Sequence, residues 1–118
     1  MSGMKFFCKG EGTWQAWRGL KGTRIRRLVG TRESETIGAG VLTMEKQTIV
    51  SSNDFDEVIV VLDGQYRSRS EGVEYEANPG DVFWVPAGTE FELETETTAT
   101  IFYARYPMDP KIGGEDEA

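Results

Sequence analysis

The sequence predicts an all-β domain, a small sandwich or barrel of short antiparallel strands. Glycine returns every eight residues at Gly64, Gly72, Gly80 and Gly88. Each sits in turn chemistry: Asp63-Gly64, Glu71-Gly72, Asn78-Pro79-Gly80-Asp81 and Pro86-Ala87-Gly88. Punctuation at this interval, with β-branched and aromatic residues between, is the pattern of short strands joined by tight turns. Many strands of similar length favour a two-layered or closed structure over an open sheet.

The candidate strands follow in order. Thr13 to Trp17, Arg24 to Val29 and Gly40 to Met44 come first, and Trp14 to Leu20 also carries a faint helical signal. Val58-Ile59-Val60-Val61-Leu62 is aliphatic on both faces, which predicts a strand with material packed over each side. Gln65 to Ser70 and Val73 to Tyr75 flank the Glu71-Gly72 turn, and Val82 to Val85 follows the turn at Asn78 to Asp81. From Phe91 the acids Glu92, Glu94 and Glu96 interleave with Phe91, Leu93 and Thr95, giving one wet and one covered face. Thr98 to Tyr106 is the last strand, bounded by Pro107.

Length and composition bound the rest. At 118 residues with 38% apolar content, the chain is expected to bury a core as one domain without disulfide staples. Residues 1–110 form that domain, with a core of about 28–109 and N-terminal strands in 1–27, followed by an acidic tail over 111–118. The single Cys8 cannot bridge internally, and the N-terminus leads into no apolar run suited to export, so a reducing cytoplasmic setting is expected. Val58 to Leu62 is far short of the roughly 20 residues a membrane helix needs, so no membrane association is expected.

Thirteen basic and 20 acidic residues with no histidine give a formal charge of −7. The absence of imidazole excludes histidine general acid–base chemistry, histidine-activated nucleophiles and histidine metal sites. Six cations fall between Arg18 and Arg32, while twelve acids lie between Asp54 and Glu96. The negative total opposes polyanion binding, so nucleic acid is not an expected partner, and the basic stretch reads as a solvated edge or a subunit contact. Gly38-Ala39-Gly40 precedes a strand, not a helix, and is no phosphate cradle. Cys8 lacks a base to activate it.

Two stretches resemble the paired motifs of the cupin superfamily. Glu57-Val-Ile-Val-Val-Leu-Asp-Gly64 has the first motif's glutamate, six-residue gap and glycine. Gly80-Asp-Val-Phe-Trp-Val-Pro86-Ala-Gly88 has the second motif's glycine, five residues and Pro-x-Gly. Within the superfamily the chain is most similar to the cupin domain of the EutQ family of ethanolamine-utilisation proteins. That likeness rests on Met44-Glu45, Phe55-Asp56-Glu57-Val58, Leu62-Asp63-Gly64, Gly80-Asp81-Val82, Val85-Pro86-Ala87-Gly88 and Tyr103-Ala-Arg-Tyr106-Pro107. It implies a double-stranded β-helix of the jelly-roll type, and a free-standing relative lacking the family's extra N-terminal region.

Metal-binding cupins place histidines where this chain offers Ser51 and Asn53, or Val50 and Ser52 if the gap is one residue longer, and Phe91 in the second motif. The resemblance therefore implies neither a metal nor any other cofactor, since one carboxylate with neutral neighbours is a poor transition-metal site. If Glu57 points into the lumen as the family's glutamate does, alternation puts Ile59 and Val61 beside it and sends Val58, Val60 and Leu62 outward. On the next strand Tyr66, Ser68 and Ser70 share one face and Arg67 and Arg69 the other. A tyrosine and hydroxyls there suggest a polar pocket.

The expected ligand site is Glu57 as polar anchor, with Asn53, Tyr66, Ser68 and Tyr103 as orienting groups, Trp84 and Phe91 as aromatic walls, and Arg105 as an alternative contribution of the last strand. A buried carboxylate needs donors or has its pKa raised, and either suits holding a cation, an amine or a proton. The first functional reading is a small-molecule-binding cupin. The second, implied by the resemblance, is an enzyme of ethanolamine or acetate metabolism with acetate kinase activity. The third is a dimeric scaffold. The family resemblance suggests a homodimer, with Trp14, Trp17 and the basic segment at its contact.

Overall fold

The computed structural model describes residues 3–108 and consists of eight strands. They are β1 (Gln15–Ala16), β2 (Arg24–Val29), β3 (Gly38–Ser52), β4 (Asp56–Gly64), β5 (Tyr66–Ser70), β6 (Val73–Ala77), β7 (Val82–Val85) and β8 (Glu90–Tyr106). Every pairing is antiparallel. No helix among the described residues is long and apolar enough to cross a membrane.

Two long strands organise the fold. β3 and β8 pair from Gly38↔Arg105 to Ser52↔Glu90, with a bulge between Glu45 and Gln47 where Lys46 takes φ 46°. A bulge bends its strand and raises its twist, so both strands leave one layer and enter the other. The C-terminal part of β8 joins β4 and then β7 on its free edge, while β2 and β1 extend the sheet beyond β3. The N-terminal part of β8 takes β5 on that edge instead, with β6 beyond it. The two layers face each other over Met44, Ile49, Ile59, Val61, Tyr66, Leu93 and Ile101. Among the described residues β6 pairs only with β5, so no hydrogen-bonded seam joins it to β7.

The glycine beat marks real turns: Gly64, Gly72, Gly80 and Gly88 have φ of 84°, 79°, 98° and 88°. Gly64 is the tightest. A Cβ there would stand 2.2 Å from the Thr98 carbonyl oxygen, which also accepts the Gln65 N–H at 2.9 Å. The alternation around Phe91 holds as well, with Phe91, Leu93 and Thr95 buried. Glu92, Glu94 and Glu96 face out, where Arg69 pairs with Glu74, Glu92 and Glu94, and Arg67 with Glu94 and Glu96. The Arg69 guanidinium holds the Glu74 carboxyl below its ordinary range.

Four expectations change. Phe91–Glu94 and Thr98–Tyr106 are one strand, because the threonine-rich link between them contains no turn residue and stays extended. Gly40–Met44 continues to Ser52 beyond the bulge. No helix forms at Trp14–Leu20: Arg18, Gly19 and Gly22 all take positive φ (52°, 65° and 78°), and the chain reverses through Leu20 N–H to Trp17 O (3.0 Å) and Trp17 N–H to Thr23 O (3.2 Å). Last, the outer face of Val58–Leu62 is not covered within the described chain. Val58 is 37% and Leu62 48% exposed, while Ile59 and Val61 are buried.

Candidate functional site

A cavity of about 140 Å³ lies between the layers, where the end of β3, residues 53–55 and the start of β4 meet the C-terminal part of β8. Glu57 is the second residue of β4 and pairs with Arg105 on β8 and Val85 on β7. Burying Ile59 and Val61 commits β4 to one orientation, and period-two alternation then carries the Glu57 carboxylate to the inner face, half-buried. The Pro86-Ala87-Gly88 turn holds this segment. Gly88 N–H donates to the Asn53 carbonyl at 2.8 Å, and Ala87 N–H donates to Asp56 Oδ1 at 2.9 Å.

Asn53 Nδ2 donates to Glu57 Oε1 at 3.0 Å, and Ser51 Oγ donates to Asn53 Oδ1 at 3.4 Å. A chain of three polar side chains thus runs along one wall. Phe91 stands opposite Ser51 in register, and Tyr103 opposite Ile59 and Gly40. The Tyr103 ring fits because position 40 is glycine, where a Cβ would stand 2.6 Å from the phenol oxygen. Two guanidiniums line the cavity, each on an aromatic face: Arg105 lies 5.0 Å from the Phe55 ring centre and 5.6 Å from that of Tyr103, and Arg18 lies 4.1 Å from that of Trp17. With Glu57 and Asp54 also present, the lining offers both charge signs against apolar surface from Leu42, Leu93 and Ile101.

Of the expected residues, Asn53, Glu57, Phe91 and Tyr103 come together in this lining. Tyr66 and Ser68 face the same interior but lie outside it. Tyr66 is fully buried with its ring edge-on to Phe83 at 5.6 Å, so it fills core in place of opening a pocket. Its hydroxyl has no hydrogen-bond partner among the described residues. Burial and then the Glu57 carboxylate push the phenol well above its ordinary pKa. Ser68 offsets part of that rise, though its own hydroxyl hydrogen goes to the Glu92 carbonyl at 2.9 Å. Trp84 is 61% exposed on the outer face, since alternation on β7 buries Val85 and turns its neighbour away.

Of the slots that hold histidine in metal-binding cupins, Ser51, Asn53 and Phe91 line the cavity with Glu57; of the alternative pair, Ser52 lines it too and Val50 does not. Val50 is 61% exposed. The donor set does not suit a transition metal: the Asn53 amide presents N–H to the carboxylate and the last slot is a phenyl ring. Trp17, Arg18 and Phe55 also line the cavity. Phe55 belongs to the family motif Phe55-Asp56-Glu57-Val58 without having been expected at the site. Trp17 and the basic stretch that begins at Arg18 were expected at a subunit contact instead.

The sequence and fold have counterparts among known proteins. The family model described as Ethanolamine utilisation protein EutQ matches residues 21–111. Acetate kinase EutQ of Salmonella typhimurium (strain LT2) is 29% identical over 82 residues, covering 70% of this chain and 36% of that protein. Acetate kinase EutQ of Clostridioides difficile (strain 630) is 27% identical over 82 residues, 70% of this chain and 52% of that protein. The chain thus spans between about a third and a half of the curated relatives it matches. Among solved structures, EutQ from Salmonella typhimurium LT2 superposes with a TM-score of 0.83 at 24% identity, covering 91% of this chain and 89% of that one. An RmlC-like cupin from Shewanella frigidimarina gives 0.75 at 18% identity, covering 88% and 91%. The chain belongs to the EutQ family of ethanolamine-utilisation proteins and has the all-β cupin fold.

Proposed function

We infer that this protein is a small-molecule-binding cupin whose ligand is held in the barrel against Glu57. The observation that supports this reading is the Ser51–Asn53–Glu57 hydrogen-bond chain, which presents a carboxylate to a cavity walled by Phe91 and Tyr103. Asn53 fixes the carboxylate's orientation, so a ligand meets a preformed acceptor and not a freely rotating one. The Arg18 and Arg105 guanidiniums supply donors to the same space. The cavity's size class matches that which admits a benzene-sized guest when dry and apolar. With this polar lining it suits a small carboxylate, amine or sugar fragment.

The test is a melting-temperature screen of such compounds on the wild-type chain and on Glu57→Gln. A true ligand at about 100 times its Kd stabilises by about 2.7 kcal/mol, which for a domain of this size raises Tm by roughly 10 °C. The Gln variant is expected to keep its fold and lose that rise. A response of equal size in the variant would contradict the reading.

A second reading is phosphoryl transfer to a small carboxylate, favoured by the acetate kinase names of the curated relatives and by the two guanidiniums at the cavity. In that reaction the ATP γ-phosphoryl passes to a carboxylate oxygen and ADP leaves. ATP-dependent acyl phosphate formation by the wild type, lost in Arg105→Ala and Glu57→Gln, would support it. No turnover above a boiled control would dismiss it.

A further inference from the structure

We propose, resting on the reading of Glu57 as a ligand anchor, that the guest of this cavity is a small zwitterion. Glu57 holds its ammonium, and Arg18, at the solvent-exposed rim, holds its carboxylate. Arg18 lies in the turn that links β1 to β2. Leu20 N–H to Trp17 O (3.0 Å), Thr23 N–H to Leu20 O (3.2 Å) and Trp17 N–H to Thr23 O (3.2 Å) close that turn. Gln47 Nε2 donates to the Lys21 carbonyl and ties it to β3. The side chain that the turn presents to the cavity is therefore carried on fixed backbone.

Arg18 carries a charge that the chain itself does not use. Its guanidinium lies 4.1 Å from the Trp17 ring centre and has no ion-pair or hydrogen-bond partner among the described residues. The two central positions of the turn, Arg18 and Gly19, take φ 52° and 65°. Asn-Gly meets that requirement with less strain, so the turn supplies no reason for arginine. Strained backbone beside a cavity points to a function for the side chain it carries. Trp17 is 8% exposed, and stacking on its ring sets the planar fork in place before a guest arrives. A preset guanidinium can take a carboxylate through two parallel N–H bonds, which ordinary surface ion pairs do not.

The charges of the lining balance, with Arg18 and Arg105 against Asp54 and Glu57. A zwitterion enters such a space without adding net charge, whereas a guest with one charge adds one to a partly apolar interior. Glu57 is the better seat for an ammonium than Asp54, because Asn53 orients its carboxylate and it is half-buried. Asp54 is exposed, so water and salt screen it. A plain carboxylate would leave Glu57 facing an alkyl group, and a plain amine would leave Arg18 unmet; each loses affinity for want of the second contact. Leu42, Ile101 and Phe91 in the same lining give apolar wall to a short carbon chain. The volume of about 140 Å³ limits the guest to about six non-hydrogen atoms, as in the benzene that fills a dry cavity of similar size. Alanine and β-alanine have that size.

The test is calorimetric titration of the full chain with matched probes. They are L-alanine and β-alanine, the ammonium-free analogues isobutyrate and butyrate, and the carboxylate-free analogues isopropylamine and n-propylamine. At least one amino acid is expected to bind about tenfold or more tightly than both of its single-charge analogues, the loss that follows a missing hydrogen bond to a charged group. Arg18→Asn, which suits left-handed backbone, should keep or raise the melting temperature and weaken that amino acid by about tenfold. It should leave the matching amine unchanged. Arg18→Gly stands in should Arg18→Asn disturb the turn, and Asp54→Asn should cost no more than about fivefold. An amino acid that binds no better than its analogues overturns the proposal, as does one whose affinity a folded Arg18 variant leaves intact. Binding of neither amino acid at millimolar concentration also overturns it. None of these results removes Glu57 as an anchor, which falls only if a compound from the melting screen binds Glu57→Gln as well as the wild type.

Discussion

Tyr66→Phe examines the barrel interior most sharply, because it removes one oxygen and little else. The phenol is fully buried against Phe83, and its hydroxyl has no hydrogen-bond partner among the described residues. A buried, unpaired hydroxyl costs about 1–3 kcal/mol of desolvation, so the variant should match or exceed the wild type at pH 7, with a gain of up to about 2 kcal/mol. A second signature appears at alkaline pH. Burial and the Glu57 carboxylate raise the folded-state pKa of Tyr66, so the native chain keeps this proton after the unfolded chain begins to lose its own near pH 10. The unfolded state then binds fewer protons than the native state, and stability falls as pH rises. The contribution is fully present below about pH 10 and is lost above it at about 1.4 kcal/mol per pH unit. Phenylalanine cannot titrate, and the other tyrosines are common to both proteins. Urea unfolding followed by circular dichroism from pH 7 to 11.5 should therefore show the variant's advantage widening above pH 10. Parallel curves, or a variant more than about 1 kcal/mol less stable at pH 7, would refute the buried, unpaired phenol.

Gly64→Ala and Gly72→Ala form a matched pair, since both positions have positive φ but only Gly64 faces backbone, with Thr98 O 2.2 Å from a built Cβ. Gly72→Ala should cost about 1–2 kcal/mol of backbone strain, and Gly64→Ala clearly more, as read from urea midpoints; equal losses would contradict the close approach. Ile59→Ala removes a side chain that is 2% exposed and both packs the core and walls the cavity. It should destabilise by about 2–5 kcal/mol, and a loss below 1 kcal/mol would show that the interior collapses around the gap.

Much of this architecture was legible because it depends on local chemistry. The eight-residue glycine beat located four turns, and Val82–Val85 and Arg24–Val29 coincide with β7 and β2. The family's glutamate, taken with strand alternation, set Glu57 inward beside Ile59 and Val61, and the motif spacing brought Asn53 and Phe91 to it. What escaped depends on distant contacts. The second half of β3 begins with Glu45-Lys46-Gln47, which reads as a loop until the pairing with β8 reveals a bulge. Trp17 and Arg18 reach the cavity from a turn that no periodicity connects to β4. Trp84 looked like a cavity wall because an aromatic on a strand does not declare its side. Only the burial of Val85 fixes it outward.

The most direct test of a ligand anchored by Glu57 is calorimetric titration of the best compound from the melting screen into wild type and Glu57→Gln. Losing a hydrogen bond to a charged group costs about 1.5–3 kcal/mol, so the variant's Kd should rise by about 10- to 150-fold, with its unfolding transition retained. An unchanged Kd in a folded Gln variant would mean that the carboxylate does not hold the guest, and the proposed site would be wrong.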